Sequence, residues 1–155
     1  MDFQEKLVQE LVSKHGTERE NLLPVLQGVI EQERYLSEEA ILKIAEAMDI
    51  PASDVYGTAS FFSFLDIEPR GKFIIRVCRT ISCAMKNKNQ IVLAIENFLN
   101  IKDGETTPDK KFTFLQTNCI GWCHKAPAML VNDDVHTELT PESVVEILRK
   151  YKEEN

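Results

Sequence analysis

The fold and the chemistry of this chain depend on the stretch Thr117–Val131, which has the sequence TNCIGWCHKAPAMLV. It contains two of the four cysteines, Cys119 and Cys123, with three residues between them. The other two, Cys78 and Cys83, have four residues between them and follow an apolar, β-branched run. Each pair therefore follows a predicted strand and lies in a loop. We expect four thiolates at one end of a sheet, and such soft ligands select iron–sulfur clusters, zinc or copper(I).

The composition is that of an ordinary folded protein with an acidic surface. The chain has 155 residues, 43% of them hydrophobic and 28% charged, and its formal net charge is −7. This length predicts one domain with room for a small additional unit. The acidity argues against nucleic acid binding, which needs a basic surface. Because no apolar run approaches the roughly 20 residues of a membrane helix and no signal peptide is recognisable, we expect a cytoplasmic protein without membrane contact or disulfides.

Residues 1–68 are predicted to form a helical domain. Apolar side chains recur at helical spacing in four segments of this part. Thr17 and Glu20 have the spacing of a capping box that would start the second helix. Ser37 is the predicted N-cap of the third helix, and Ser53 is the predicted N-cap of a short fourth one.

Residues 69–155 are predicted to form an α/β domain, because the period of the apolar residues changes after the turn at Pro69-Arg70-Gly71. The predicted order is strand, helix, strand, strand, strand and helix. The strands are Phe73–Val77, Phe112–Leu115, Ala128–Val131 and Val135–Leu139, and the last helix begins at Thr140-Pro141. A right-handed crossover would make the first two strands parallel, and the last two would form a hairpin. This order predicts the fold class: a helical bundle followed by a thioredoxin-like α/β domain.

The spacing of the cysteines is compatible with more than one kind of metal site. Structural zinc sites use ligand pairs about two to four residues apart, so a zinc-stabilised interaction module without a redox role is a serious alternative. A [2Fe–2S] cluster needs four thiolates, two for each iron, in loops whose amides can donate hydrogen bonds to sulfur. The chain has no C-x-x-C pair, which argues against thioredoxin-type dithiol exchange. The spacing favours iron–sulfur over zinc, and inert buried cysteines are the third interpretation.

Longer motifs resemble one known family, the thioredoxin-like [2Fe–2S] subunit of respiratory complex I, also called its 24 kDa subunit. The same family supplies a small subunit to NAD(P)-linked, often electron-bifurcating, hydrogenases and formate dehydrogenases. The resemblance covers about residues 20 to 148. The motifs are Leu23-Pro24-Val25-Leu26-Gln27, Tyr35-Leu36, VYGTASFFS at Val55–Ser63, Pro69-x-Gly71-Lys72, Cys119-Ile120-Gly121-x-Cys123 with Ala126-Pro127-x-Met129, Asn132-Asp133-Asp134-x-His136, and Leu139-Thr140-Pro141-Glu142.

The resemblance implies that four residues together ligate one [2Fe–2S] cluster and that the chain has no catalytic residue of its own. These ligands are Cys78, Cys83, Cys119 and Cys123. The implied function is electron transfer within a multi-subunit NAD(P)H-dependent oxidoreductase, in exchange with the FMN of a partner flavoprotein that also binds NAD(P)H. Further iron–sulfur, hydrogenase or formate dehydrogenase subunits are expected as partners. We favour the soluble, electron-bifurcating hydrogenase or formate dehydrogenase type, with complex I as the alternative.

The isolated chain is predicted to have no NADH activity. A dinucleotide site needs a glycine-rich turn, and none of the six glycines has a neighbour at G-x-G or G-x-x-G spacing. Other residues have simpler interpretations. Trp122 stands where relatives often have a small residue, and His124 is favoured as a surface residue over an iron ligand. Phe61 and Phe62 are predicted to lie in the core.

Overall fold

The computed structural model describes residues 2–154 and consists of two compact units that divide between Pro69 and Arg70. The assignment of 1–68 and 69–155 as separate domains stays a prediction. Among the described residues, none of the helices is both long and apolar enough to cross a membrane.

The first unit is helical, as the apolar spacing predicts. In its described part, α-helices and one 3-10 turn follow each other in the order α1 (Phe3–His15), 3-10 turn (Arg19–Asn21), α2 (Leu22–Glu33), α3 (Glu38–Met48) and α4 (Ala52–Phe61). Each α-helix contributes aliphatic side chains to one buried cluster. Its most buried members include Val8, Val25, Leu26, Val29, Ile44 and Val55.

One predicted helix start is confirmed in this unit. Ser37 caps α3, since its hydroxyl oxygen accepts a hydrogen bond from the Ala40 amide at 3.1 Å. The prediction that a capping box at Thr17 starts the second helix is wrong, because α2 begins only at Leu22. A helix that started at Thr17 would hold Pro24 in its interior, where the ring clashes with the preceding turn. With the observed start, Pro24 lies in the first turn, where its missing N–H costs nothing.

Two further predictions for the helical unit are wrong. Ser53 is not a cap, because α4 begins at Ala52 and the carbonyl of Pro51 already accepts from the Val55 amide at 3.3 Å. Phe61 is 79% exposed, and Phe62 is exposed as well. The buried side of α4 is the side of Val55, and a residue six positions later in a helix of 3.6 residues per turn points away from it.

The second unit is an α/β layer structure. Its elements are β1 (Phe73–Cys78), α5 (Ile81–Ala84), α6 (Lys88–Leu99), β2 (Phe112–Thr117), a 3-10 turn (Cys123–Lys125), β3 (Met129–Val131), β4 (Asp134–His136) and α7 (Pro141–Glu153). Within the described residues the strands form one sheet in the order β2-β1-β3-β4. β1 and β2 are parallel, and β3 pairs antiparallel with both β1 and β4. The predicted order of the strands and the two long helices, including the parallel pair and the hairpin, is confirmed, and the short helix α5 was not predicted.

Both long helices of this unit share one buried cluster with one face of the sheet. Alternate residues of β1 and β2 face the helices, as the period of a strand requires. The cluster includes Phe73, Ile75, Val77, Phe112, Phe114, Met129 and Val131 from the sheet, Ile91 and Ile95 from α6, and Val144 and Leu148 from α7. The two helices therefore pack on one face of the sheet and stabilise the register of β1 and β2.

The end of the chain is anchored by local hydrogen bonds. Thr140 caps α7 as predicted, because its hydroxyl oxygen accepts from the Ser143 amide at 3.2 Å and the Ser143 hydroxyl accepts from the Thr140 amide at 2.9 Å. The Tyr151 hydroxyl donates to a carboxylate oxygen of Asp134 at 2.8 Å. Helix α7 is thus tied to the edge strand β4.

Candidate metal centre

The two cysteine loops leave the sheet side by side. β1 and β2 are parallel, and the last residue of β1, Cys78, stands opposite the last residue of β2, Thr117. The carboxyl ends of parallel strands lie at the same edge of a sheet. The Arg79 amide donates to the Thr117 carbonyl at 2.8 Å, and the Cys78 amide donates to the Ala128 carbonyl at 3.3 Å. These bonds hold the two loops together at the base.

The structure brings the predicted ligands into two adjacent pairs. The sulfurs of Cys119 and Cys123 lie 3.2 Å apart, and the thiols of Cys78 and Cys83 share a hydrogen bond. The first pair is exposed and the second is buried. The charge of Cys78 acts on Cys123, so the pairs are also electrostatic neighbours. Across residues 2–154, no three His, Cys, Asp or Glu side chains are grouped so as to hold a single metal ion.

The two thiols of the buried pair differ in the direction of their pKa shifts. Burial raises the pKa of the Cys78 thiol, but hydrogen bonds from Thr80, Cys83 and the Ile120 amide outweigh burial, so this pKa lies below its usual value. The Thr80 hydroxyl oxygen is 3.0 Å from the Cys78 sulfur. Burial and the nearby Cys78 sulfur both raise the pKa of Cys83. The hydrogen bond from the Ala128 amide lowers it by less, so the pKa of Cys83 lies above its usual value. Cys78 therefore ionises before Cys83.

The exposed pair is shaped by a glycine turn. Gly121 has a φ of +87°, which favours glycine over other residues, and its amide donates to the Cys119 sulfur at 3.3 Å. The pKa of Cys123 is raised, mainly because its thiol shares a hydrogen bond with Cys119 and feels the charge of that sulfur. Burial contributes less to the shift, and the hydroxyl of Ser82 opposes it.

This donor set fits a two-iron cluster. Each iron of a [2Fe–2S] cluster takes two thiolates, and the thiols stand in two pairs. Burial and the Cys78 sulfur raise the pKa of Cys83, and the Cys119 sulfur raises the pKa of Cys123, so ionising these thiols is unfavourable. A bound cation removes that penalty. Backbone amides already point at sulfur, and such hydrogen bonds set the potential of iron–sulfur sites.

Sequence reasoning missed the residues that donate hydrogen bonds to the thiols. They are Thr80, Ser82, Ile120 and Ala128. Helix α5, which carries Cys83, was also missed, because four residues are too few to show a helical period. The available signal was the pair of hydroxyl residues between the first two cysteines, since a loop hydroxyl beside a thiolate is a ready donor.

An aromatic pair lies on the loop of the exposed thiols. Trp122 is half-buried and stacks on the exposed His124, with ring centroids 5.6 Å apart and an interplanar angle of 25°. Cys123 stands between these two residues in the chain. The indole therefore packs against the imidazole on the loop that carries Cys123.

We expect Trp122→Ala to raise the midpoint potential of the bound cluster while the iron content stays the same. Removing the indole admits water, and water favours the reduced cluster because it carries one more negative charge. A redox titration followed by electron paramagnetic resonance measures the shift. Trp122→Phe keeps an aromatic cover and should shift the potential less. Equal potentials in wild type and Trp122→Ala would mean that the indole does not control access of water.

Known proteins are similar to this chain in sequence and in fold. The model of the family described as thioredoxin-like [2Fe-2S] ferredoxin matches residues 8–152. A subunit of the NADH-quinone oxidoreductase of Salmonella typhimurium is 42% identical over 130 residues, which is 84% of this chain and 78% of that protein. The corresponding protein of Escherichia coli matches with the same identity and coverage.

A solved structure of an NAD+-reducing [NiFe]-hydrogenase in its H2-reduced state is similar in fold. Its TM-score is 0.75 at 21% identity, over 86% of this chain and 22% of that chain. This chain thus spans about a fifth of the hydrogenase chain, and a likeness at this identity shows the fold alone. The thioredoxin-like fold class predicted from the sequence is confirmed. Because the family model matches nearly the whole chain, the chain belongs to the thioredoxin-like [2Fe–2S] ferredoxin family, and its cofactor is one [2Fe–2S] cluster.

Proposed function

We propose that this chain is the electron-transfer subunit of a multi-subunit NAD(P)H-dependent oxidoreductase, in which it exchanges single electrons with the FMN of a partner flavoprotein. The observation that carries the proposal is the 42% identity over 130 residues to a subunit of NADH-quinone oxidoreductase. The subunit has no catalytic residue of its own in this proposal. We propose a cytoplasmic location with no membrane contact of its own.

The residues that hold the cluster in this proposal are the four cysteines, two for each iron. When bound, the cluster supplies one-electron chemistry. The buried pair, Cys78 and Cys83, anchors it to the end of β1 and to α5. The exposed pair, Cys119 and Cys123, lies at the surface, where a partner can approach. The amides of Ile120, Gly121 and Ala128 stabilise negative charge on the sulfurs.

We propose NADH-quinone oxidoreductase as the parent complex. The relatives from that complex support this assignment at an identity that shows the family, whereas the hydrogenase likeness supports the fold alone. The electron-bifurcating hydrogenase or formate dehydrogenase type, which the sequence motifs favoured, is the second candidate and stays a prediction. The masses of the chains that co-purify with this subunit distinguish the two parents.

The test is reduction of the cluster by NADH with and without a flavoprotein. NADH gives up two electrons as a hydride, and a one-electron centre cannot take them without a flavin in between. We expect NADH alone to leave the isolated holo-protein oxidised. Adding the flavoprotein subunit of the parent complex should produce the signal of the reduced cluster.

Dithionite is the control, because it reduces an intact cluster in either mixture. Oxidation of NADH by the isolated chain with a dye acceptor would contradict the proposal. So would a cluster that dithionite reduces but that NADH and flavoprotein together do not.

A further inference from the structure

The hydroxyl of Thr117, the last residue of β2, is a buried polar group without a protein partner. Thr117 is 4% exposed, and in the part of the chain that the structure describes its Oγ1 forms no hydrogen bond. The other buried threonines of the second unit, Thr107 and Thr113, both form hydrogen bonds through their hydroxyls. Burying a hydroxyl without a partner costs free energy, so Thr117 needs an acceptor that the chain itself does not supply.

The register of the sheet places Thr117 beside a thiol. Cys78 ends β1, Thr117 ends β2, and the two residues are paired in the parallel ladder. Neighbouring strands lie about 4.8 Å apart, and successive side chains point to opposite faces of a sheet. Val77 and Phe114 belong to the face that packs on α6 and α7, so Cys78 and Thr117 both point to the opposite face. The Thr117 hydroxyl therefore lies on the same side of the sheet as the Cys78 sulfur.

The cysteine sulfurs are not the acceptor of this hydroxyl. Among the described residues, the donors to the Cys78 sulfur include the Thr80 hydroxyl, 3.0 Å away, and the Ile120 amide, and Thr117 is not one of them. The Thr117 backbone is held in place, because its carbonyl accepts from the Arg79 amide at 2.8 Å. Branching at Cβ also restricts a threonine side chain to few rotamers.

The cofactor of the family brings further acceptors to this place. Besides the cysteine sulfurs, a [2Fe–2S] cluster contains two inorganic sulfides, and hydrogen bonds to the sulfurs of such a cluster help to set its potential. A threonine hydroxyl carries one donor hydrogen, and it rotates to suit an acceptor. A buried donor next to a ligand sulfur thus fits a cluster sulfide.

We propose that the Thr117 hydroxyl donates a hydrogen bond to a sulfide of the bound cluster and thereby raises the midpoint potential of that cluster. The proposal rests on the four cysteine ligands proposed above, and Thr117 itself is not a ligand. Reduction adds one electron to the cluster, and a hydrogen bond to a more negative acceptor is stronger. The hydrogen bond therefore stabilises the reduced cluster more than the oxidised one, and removing the hydroxyl lowers the midpoint potential.

The test removes the hydroxyl and keeps the shape of the side chain. Thr117→Val replaces the hydroxyl with a methyl group, whereas Thr117→Ser keeps the hydroxyl. Thr113→Val is the matched control, because Thr113 is buried on the same face of β2 but roughly 13 Å before Thr117 along the strand. The Thr113 hydroxyl accepts from the Gly71 amide at 2.7 Å, so this control can lose stability. Thr106→Val, at a half-buried threonine, is therefore the second control.

The first measurement is a redox titration of the holo-proteins, followed by electron paramagnetic resonance. Iron content and the signal of the reduced cluster establish that each variant carries its cluster. At the midpoint potential of wild type, we expect the ratio of reduced to oxidised cluster to be about three- to tenfold lower in Thr117→Val, where tenfold is about 59 mV for one electron. Thr117→Ser should stay closer to wild type, and both controls should keep the wild-type potential.

The second measurement identifies the acceptor. In protein exchanged into D2O, pulsed electron paramagnetic resonance of the reduced cluster detects exchangeable deuterons that lie near it. Thr117→Val should lose one such coupling, which Thr117→Ser should retain. In resonance Raman spectra of the oxidised protein, the bridging iron–sulfide modes should shift in Thr117→Val, and the terminal iron–cysteine modes should not.

Three results would overturn the proposal. Equal potentials and equal deuteron couplings in wild type and Thr117→Val would mean that an ordered water satisfies the hydroxyl. A lower potential with unchanged couplings would mean that the methyl group acts only by reducing the local polarity. A shift confined to the terminal modes would assign the hydrogen bond to a cysteine sulfur. If Thr117→Val does not retain iron, Thr117→Ala removes the same hydroxyl with a smaller side chain and is judged by the same measurements.

Failure of this proposal is distinguishable from failure of the ligand set on which it rests. If wild type carries an intact cluster but its potential and couplings do not depend on the Thr117 hydroxyl, only the role of Thr117 is wrong. If wild type purified without oxygen carries zinc and negligible iron, the ligand set and the role of Thr117 are both wrong. Neither measurement depends on NADH or on the flavoprotein.

Discussion

Replacing any one of the four cysteines with alanine is expected to remove most of the cluster from the purified protein. Each iron takes two of its four sulfur ligands from the protein, so one missing thiolate leaves an iron open to water and to loss. Native protein purified without oxygen should contain two irons and two acid-labile sulfides per chain, and the variants should contain little of either. The variants to compare are those at Cys78, Cys83, Cys119 and Cys123.

The structure shows which of these variants give the clearest result. Cys78 and Cys83 are buried, so alanine there also removes packing. Cys119 and Cys123 are exposed, and alanine there removes little besides the ligand. Loss of iron from the two exposed variants can therefore be assigned to ligation and not to misfolding.

His124→Ala is the control for the ligand prediction, because His124 lies next to Cys123 but is exposed and stacks on Trp122. It should keep its iron. Full iron content in any of the alanine variants at the cysteines would remove that cysteine from the ligand set. One zinc per chain with negligible iron in native protein would contradict the iron–sulfur assignment altogether.

Leu148→Ala should lower the free energy of unfolding of the second unit by about 2–5 kcal/mol. Leu148 is 0% exposed and lies in the cluster that joins α7 to the sheet. Truncation removes apolar contacts and leaves a cavity that a packed core fills only in part. Because whole domains are stable by only about 5–15 kcal/mol, a loss of this size is a large share. Urea unfolding followed by circular dichroism measures it.

Leu93→Ala is the matched control, since Leu93 is also a helical leucine of the same unit but is 55% exposed. Its unfolding free energy should change by less than about 1 kcal/mol. Similar losses for the two leucines would mean that α7 does not pack on the sheet as the structure has it.

Local patterns were sufficient for most of the second unit. The β-branched runs predicted β1 and β2, although each strand extends beyond the predicted end, to Cys78 and Thr117. The cap at Thr140 was predicted because a capping hydroxyl acts on the next few residues only. Such interactions involve neighbours in the chain, so the sequence displays them directly.

Predictions failed where two signals in the sequence competed, and where packing decided which side of a helix is buried. Thr17 and Glu20 have the correct spacing for a capping box, but Pro24 prevents a helix from starting there. Phe61 is apolar, yet its position on α4 turns it away from the core. The number of apolar residues in a short helix does not show which side of that helix will be buried.

The sequence by itself determined the family, the order of the strands and long helices, and the four cysteines that are predicted as ligands, because residue types and short spacings indicate each of these. The tertiary structure alone decided that one pair of thiols is buried and the other exposed. It also decided that Cys78 has a lowered pKa while Cys83 and Cys123 have raised ones. Burial, hydrogen bonds and the charges of neighbouring sulfurs cause these differences. The burial of Cys78 and Cys83 and the hydrogen bonds that link one loop to the other exist only once β1 and β2 lie side by side and bring together loops about 40 residues apart in the chain.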